Sequence, residues 1–120
     1  SKSARPANEG AIGVWLATDR KRGALVALAC ETDFVARTPD FQAVAEQLAG
    51  HLGSMNESSL TAEQFADQPG LNGAATVRQY LDTVIAKLGE NMQIPAIAQL
   101  TAKAGLIDSY LHALEGKFRS

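Results

Sequence analysis

The sequence predicts an α+β domain: an antiparallel three-stranded sheet with helices packed on one face, in the order β-β-α-α-α-β. Three observations carry this. Apolar residues alternate with others at period 2 in residues 11 to 17 and again in 91 to 100. Between these stretches the apolar repeat changes to the three-and-four spacing of helices. The two early strands are joined by a short, charged connection ending in glycine, which favours an antiparallel hairpin. Helices segregated from such strands pack as a layer on the sheet.

Residues 1 to 9, with Pro6 and few apolar groups, read as a linker. In AIGVWLA, 11 to 17, Ile12, Val14 and Leu16 alternate with Gly13 and Trp15, which predicts a strand with one side set toward a core. TDRKRG makes the turn, and ALVALAC, 24 to 30, is apolar on both faces and predicts a second strand. Thr38 suits an N-cap, and Pro39 the first helical position, where its missing N–H would be unpaired anyway. Phe41, Val44, Ala45, Leu48 and Leu52 then share one helical face, and Gly53 ends the run. Thr61 to Gln64 fits a capping box for a short helix stopped by Pro69-Gly70.

A third helix is predicted to follow Asn72 or Gly73, burying Val77, Leu81, Val84, Ile85 and Leu88, with Gly89 as its stop. NMQIPAIAQL, 91 to 100, alternates Met92, Ile94, Ala96 and Ala98 and predicts the third strand. Pro95 cannot donate to a ladder, so this strand belongs at an edge or carries a bulge there. LIDSYLH, 106 to 112, is read as the possible start of a fourth strand. GAIGVWL at 10 to 16 also lines up with GLIDSYL at 105 to 111, a match expected if a second copy of the unit begins there.

The chain of 120 residues suits one core, with 46% hydrophobic and 20% charged residues. No apolar run approaches a transmembrane span of about 20 residues, and the polar start is no signal peptide. Net charge is −2, and from Thr38 to Thr76 there is no Lys or Arg, whereas Asp40, Glu46, Glu57, Glu63 and Asp67 fall there. Nucleic-acid binding calls for a basic face. Arg20-Lys21-Arg22, the one dense basic cluster, reads better as a solvated hairpin tip, so neither nucleic acid nor membrane is the expected partner.

Cys30 is the single cysteine, which excludes an intrachain disulfide. A nucleophile built from Cys30, Glu31 and Asp33 with His51 or His112 as base would need a geometry that nothing in the spacing provides. Cys30 reads instead as a small core hydrophobe. No ligand spacing for a metal occurs, and Gly89-Glu90-Asn91, at a helix end, is on the wrong side for an anion site. No catalytic residue, metal or cofactor is therefore expected. CETDFVARTPDF, 30 to 41, leaves two placements open for Phe34: a core aromatic sealing sheet against helix, or an exposed anchor beside the acidic Asp33.

CETDFVARTPDFQAVAEQLAGHL, 30 to 52, resembles the signature of the translation elongation factor Ts family. Three further stretches agree in order. SKSARPANEGAIGVWL is similar to that family's linker and first core strand, IAKLGEN at 85 to 91 to its Ile-Ala-Lys-Ile-Gly-Glu-Asn motif, and GLIDSYLH at 105 to 112 to its later Gly-x-x-x-x-Tyr-x-His segment. The resemblance spans nearly the whole chain outside 54 to 76.

It implies a guanine nucleotide exchange factor, not an enzyme, that meets elongation factor Tu in GDP-bound and nucleotide-free forms. By resemblance, Asp33 and Phe34, in the loop that begins at Thr32, enter between two helices of Tu and disturb its magnesium site. Leu88 and Gly89 match an Ile-Gly pair that also meets Tu, and His112 a histidine of the same contact region. The implied setting is a bacterial cytoplasm, or an organelle matrix or stroma. Residues 10 to 104 correspond to the family's core subdomain and 105 to 120 to the start of a second, as expected of an excised fragment with weak activity of its own. Pro95 and Ala96 stand where the family carries two arginines. The alternative expectation is a self-association scaffold that forms a homodimer through this region with little exchange activity.

Overall fold

Pairing of the early hairpin follows the predicted pattern closely. In the computed structural model, which describes residues 5–101 and 112–116, β1 (Glu9–Leu16) runs antiparallel to β2 (Arg22–Cys30), from Glu9 opposite Cys30 to Leu16 opposite Gly23. β3 (Gln93–Thr101) pairs antiparallel with the other side of β2, giving the order β1-β2-β3. β2 is thus central, and each residue from Gly23 to Cys30 is buried. A strand covered on both faces needs no polar alternation, which explains the unbroken run ALVALAC.

Pro95 falls on an edge strand and beside a register shift. From the pair Ala27–Ala96 to the pair Ala29–Gln93, β3 advances one residue more than β2. One extra residue turns the following side chains to the opposite face. Met92 and Ile94 accordingly pack with the helix-side cluster, whereas Ala96 and Ala98 pack with Leu25 and Leu100 on the other face. The single alternating face read over 91 to 100 is corrected to two.

The face of β1 also needs correction. Ala11 and Trp15 pack into the helix-side core, while Ile12 lies on the opposite face and Val14 and Leu16 are 37% and 43% exposed. The reason lies at Gly13, where an added Cβ would run into the Ala45 carbonyl. A helix can settle that close only over a residue without a side chain. Gly13 therefore decides which face of β1 takes the helix.

Four helices cover this side: α1 (Asp33–Ala36), α2 (Pro39–Gly53), α3 (Ala62–Ala66) and α4 (Val77–Leu88). α1 adds one helix to the predicted order. Thr38 caps α2 by accepting from the Phe41 N–H, and Phe41, Ala45, Leu48 and Leu52 are buried as expected. The capping box of α3 is complete, with the Thr61 hydroxyl accepting from the Gln64 N–H and the Gln64 side chain from the Thr61 N–H. α4 starts later than Asn72 or Gly73, because both have positive φ and Thr76 is the N-cap. Tyr80, which the predicted stripe omitted, is buried with its hydroxyl donating to Gln47.

Phe41, Leu48, Leu52, Phe65 and Val77 join Val26 and Leu28 in the main core. On the far face, Leu114 is buried against Leu25 and Leu100. Residues 105 to 111, which hold the internal echo and all but the last residue of the possible fourth strand at 106 to 112, lie outside the described residues. Residues 112–115 form a helical turn rather than a strand.

Gly13→Ala is expected to lower the unfolding free energy by about 3 kcal/mol or more, since the clash is with backbone. Urea denaturation followed by circular dichroism measures this as a lower midpoint.

Candidate functional site

The central strand ends at Cys30, and the chain beyond it has no ladder to join. Thr32 is extended and caps α1, its hydroxyl accepting from the Val35 N–H at 3.3 Å. The Ala36 N–H closes the turn on the Thr32 carbonyl. A single turn of helix is unfavourable by itself, because its backbone is fixed for very few hydrogen bonds. Support comes from α4. Gly89, at φ +85, reverses the chain there.

That reversal brings Glu90 against the strand end. Glu90 Oε1 accepts from the backbone N–H groups of Glu31 and Thr32, at 3.1 and 3.0 Å. Its Oε2 accepts from the Thr32 hydroxyl at 2.7 Å. The exchange is mutual: Glu31 Oε2 accepts from the Asn91 N–H at 2.6 Å. Arg5, in the segment read as a linker, closes the far side. Its guanidinium lies 3.7 Å from Glu31 and its carbonyl accepts from the Asn91 side chain at 2.8 Å. Hydrogen bonds to ionised carboxylates are roughly twice as strong as neutral ones, so the turn is held firmly.

Within α1 the apolar residues divide. Val35 packs partly buried against the core and Ala36 is buried, whereas Phe34 is 80% exposed. Successive helical residues are about 100° apart, so once Val35 and Ala36 face inward Phe34 must face out. Exposure forgoes about 1.5–3 kcal/mol that a buried phenylalanine would supply. Of the two placements open to Phe34, the structure shows the exposed one. Asp33 is half-exposed, with Arg37 3.5 Å away in a surface pair of little energetic weight.

Leu88 and Gly89 immediately precede Glu90, so the clamp brings them to the same end of the domain as Thr32, Asp33 and Phe34. Leu88 is half-buried and lines an open cleft of about 340 Å³ between α2 and α4, with Val44, Tyr80 and Lys87. His112 is exposed in the turn whose Leu114 rests on Leu25 and Leu100. Leu25 lies five residues along β2 from Cys30, about 17 Å on a strand, so that turn is anchored toward the other end of the sheet. The structure thus gathers five of the six expected contact residues and sets the sixth apart.

The sequence reading does not give Glu90, Glu31 and Asn91 the role of holding this turn. Gly89-Glu90-Asn91 enters the sequence reading as a rejected anion site and as part of the IAKLGEN resemblance, not as a clamp on the turn.

The nucleophilic alternative finds no support in the geometry. Cys30 is fully buried, and its thiol lies 3.2 Å from the Thr32 carbonyl. Burial first, and then the charge of Glu90, push its pKa up to about 11. The His51 ring is engaged by the Pro69 carbonyl at 2.6 Å. Among the described residues no cluster of three or more His, Cys, Asp or Glu could hold a metal ion. No helix among them is long and apolar enough to cross a membrane.

The family model described as "Elongation factor TS" matches residues 31–118. The chain belongs to the elongation factor Ts family. It is 39% identical over 111 residues to an elongation factor Ts of Clostridium botulinum, 38% to one of Clostridium kluyveri and 35% to one of Clostridium perfringens. Each alignment covers 92% of this chain and 36% of the relative, so the chain spans little more than a third of their length. The match includes the exposed α1 turn and the Glu90–Asn91 segment that clasps it.

Cys30 is expected to resist iodoacetamide at pH 8 in the folded protein and to react once urea unfolds it, because alkylation needs the thiolate. Mass spectrometry across the urea transition measures this.

Proposed function

We propose that this chain binds elongation factor Tu and promotes GDP release from it, with the Asp33–Phe34 turn as the inserting element. One observation carries the proposal: a large aromatic, 80% exposed, on a turn held by charge-assisted hydrogen bonds. Exposed aromatics on a rigid support are the usual anchors of protein interfaces. Membership of the elongation factor Ts family supports Tu as the partner.

In the proposed mechanism Phe34 wedges between two helices of the nucleotide-binding domain of Tu, and Asp33 enters beside it. Mg²⁺ demands near-ideal octahedral geometry, so a small displacement of a ligand-bearing helix weakens its hold, and that of GDP, disproportionately. Linkage then requires tighter binding to nucleotide-free Tu than to the GDP form, and GDP reciprocally weakens this chain's hold. Thr32 shapes the turn, while Leu88 and Gly89 extend the contact from the end of α4. His112, anchored elsewhere on the sheet, supplies a separate contact. The chain contributes binding energy rather than covalent chemistry. Its setting is a bacterial cytoplasm or the matrix or stroma of an organelle.

A second reading, pairing of two copies, is favoured by one observation. Val14 and Leu16 are exposed on the sheet face away from the helices, on an edge strand. Such edges and faces invite self-association.

Stopped-flow release of a fluorescent GDP analogue from Tu is expected to accelerate with this chain. Phe34→Ala is expected to reduce the acceleration by at least about tenfold, as for a hot-spot aromatic, while unfolding stability stays within about 0.5 kcal/mol. Unchanged release in a folded Phe34→Ala variant would sink the wedge. Pairing of copies would appear as a mass that rises with concentration in light scattering and falls back with Leu16→Lys; a constant monomer mass rejects it.

A further inference from the structure

We infer that Glu90 is a positioning residue for the exchange reaction: its carboxylate sets the pose of Phe34 from the end of α4. The inference rests on the reading of Phe34 as the inserting element. It assigns to Glu90 a role distinct from contact with the partner.

The geometry is unusual in its economy of groups. Three donors converge on one side chain, and all three belong to Glu31 and Thr32. Glu31 and Thr32 lie past the last β1–β2 pair, Glu9 with Cys30, so their N–H groups have no partner in that ladder. Thr32 is at once the recipient of Glu90 and the N-cap of α1. Fixing Thr32 therefore fixes the start of a four-residue helix, and with it the direction in which Phe34 points.

Two further features make the link stiff. Glu31 returns a carboxylate to the Asn91 N–H, so the strand end and the segment after α4 hold each other at two points. Gly89 adopts φ +85, where other L-residues are strained, and so defines how the chain leaves α4 toward Glu90. Ordering a loop only upon binding lowers affinity, and a turn already held in its binding pose avoids that loss. Glu90 thereby joins the end of α4 and the α1 turn into one rigid surface.

The test uses the intact chain with Glu90→Ala, Glu90→Gln and Phe34→Ala. Glu90→Gln keeps a carbonyl oxygen for the two backbone amides, whereas Glu90→Ala leaves them without a partner. Hydrogen exchange by NMR at the Glu31 and Thr32 amides is expected to stay slow in Glu90→Gln and to quicken at least about tenfold in Glu90→Ala. Acceleration of GDP release from elongation factor Tu should fall about tenfold with Glu90→Ala, recover with Glu90→Gln, and fall no further when Glu90→Ala is added to Phe34→Ala. If Glu90→Ala does not fold, Glu90→Asp, one methylene too short to span the gap, is read in its place. Unaltered amide exchange, or a loss in GDP release that adds fully to that of Phe34→Ala, overturns the positioning role. If Phe34→Ala alone leaves GDP release unchanged, the exchange reading fails instead, and the amide exchange still reports whether Glu90 holds the turn.

Discussion

The central strand leaves no residue exposed from Gly23 to Cys30, and the remaining elements are arranged by the need to cover it. β1 and β3 cover its edges, and α2 lies across the helix-side face through Phe41, Ala45, Leu48 and Leu52. Removing that much apolar surface from water is the dominant favourable term for a domain this small. It also constrains backbone approach. α2 comes so close to β1 that position 13 tolerates only glycine, and Trp15 lies against Gly53 on the same helix. The hairpin and its first long helix therefore behave as one packed unit.

What happens at the end of that strand follows from the same constraint. Cys30 is the last residue of the apolar run, and the next two residues carry polar groups that must find partners. Glu90 and Asn91 supply them from the far end of α4, some 60 positions along the chain. Such long-range polar pairing is strong only when complete, and here both carboxylates and the Thr32 hydroxyl are engaged. The turn it supports carries an exposed phenylalanine. Leaving that ring in water is a cost to the folded chain, and a partner surface of the kind proposed above would recover it.

Charge is close to balanced, at −2 over the whole chain. The one dense basic stretch, at 20 to 22, is exposed, and its Arg22 guanidinium lies 5.6 Å from the Trp15 ring centre. The thiol that might have suggested covalent chemistry is sealed in the core, with the thiolate disfavoured by burial. These features fit the binding role proposed above.

Much of this was legible in local sequence. The hairpin, the caps at Thr38 and Thr61, the glycine stop at Gly89 and the edge position of the Pro95 strand all rest on contacts within a few residues, or on backbone limits of single residues, so pattern alone sufficed. The faces of β1 and β3 were not legible. Alternation tells that two sides differ, but not which side a helix will take, and Gly13 and the register shift at Pro95 decide that only when the elements meet. The site divides the same way. CETDFVAR announced a family by resemblance, yet the residues by themselves left Phe34 free to be core or surface. Its exposure was decided by Val35 and Ala36 occupying the inward positions and by Glu90 pinning the turn from α4, and a contact across that distance leaves no local trace in the chain.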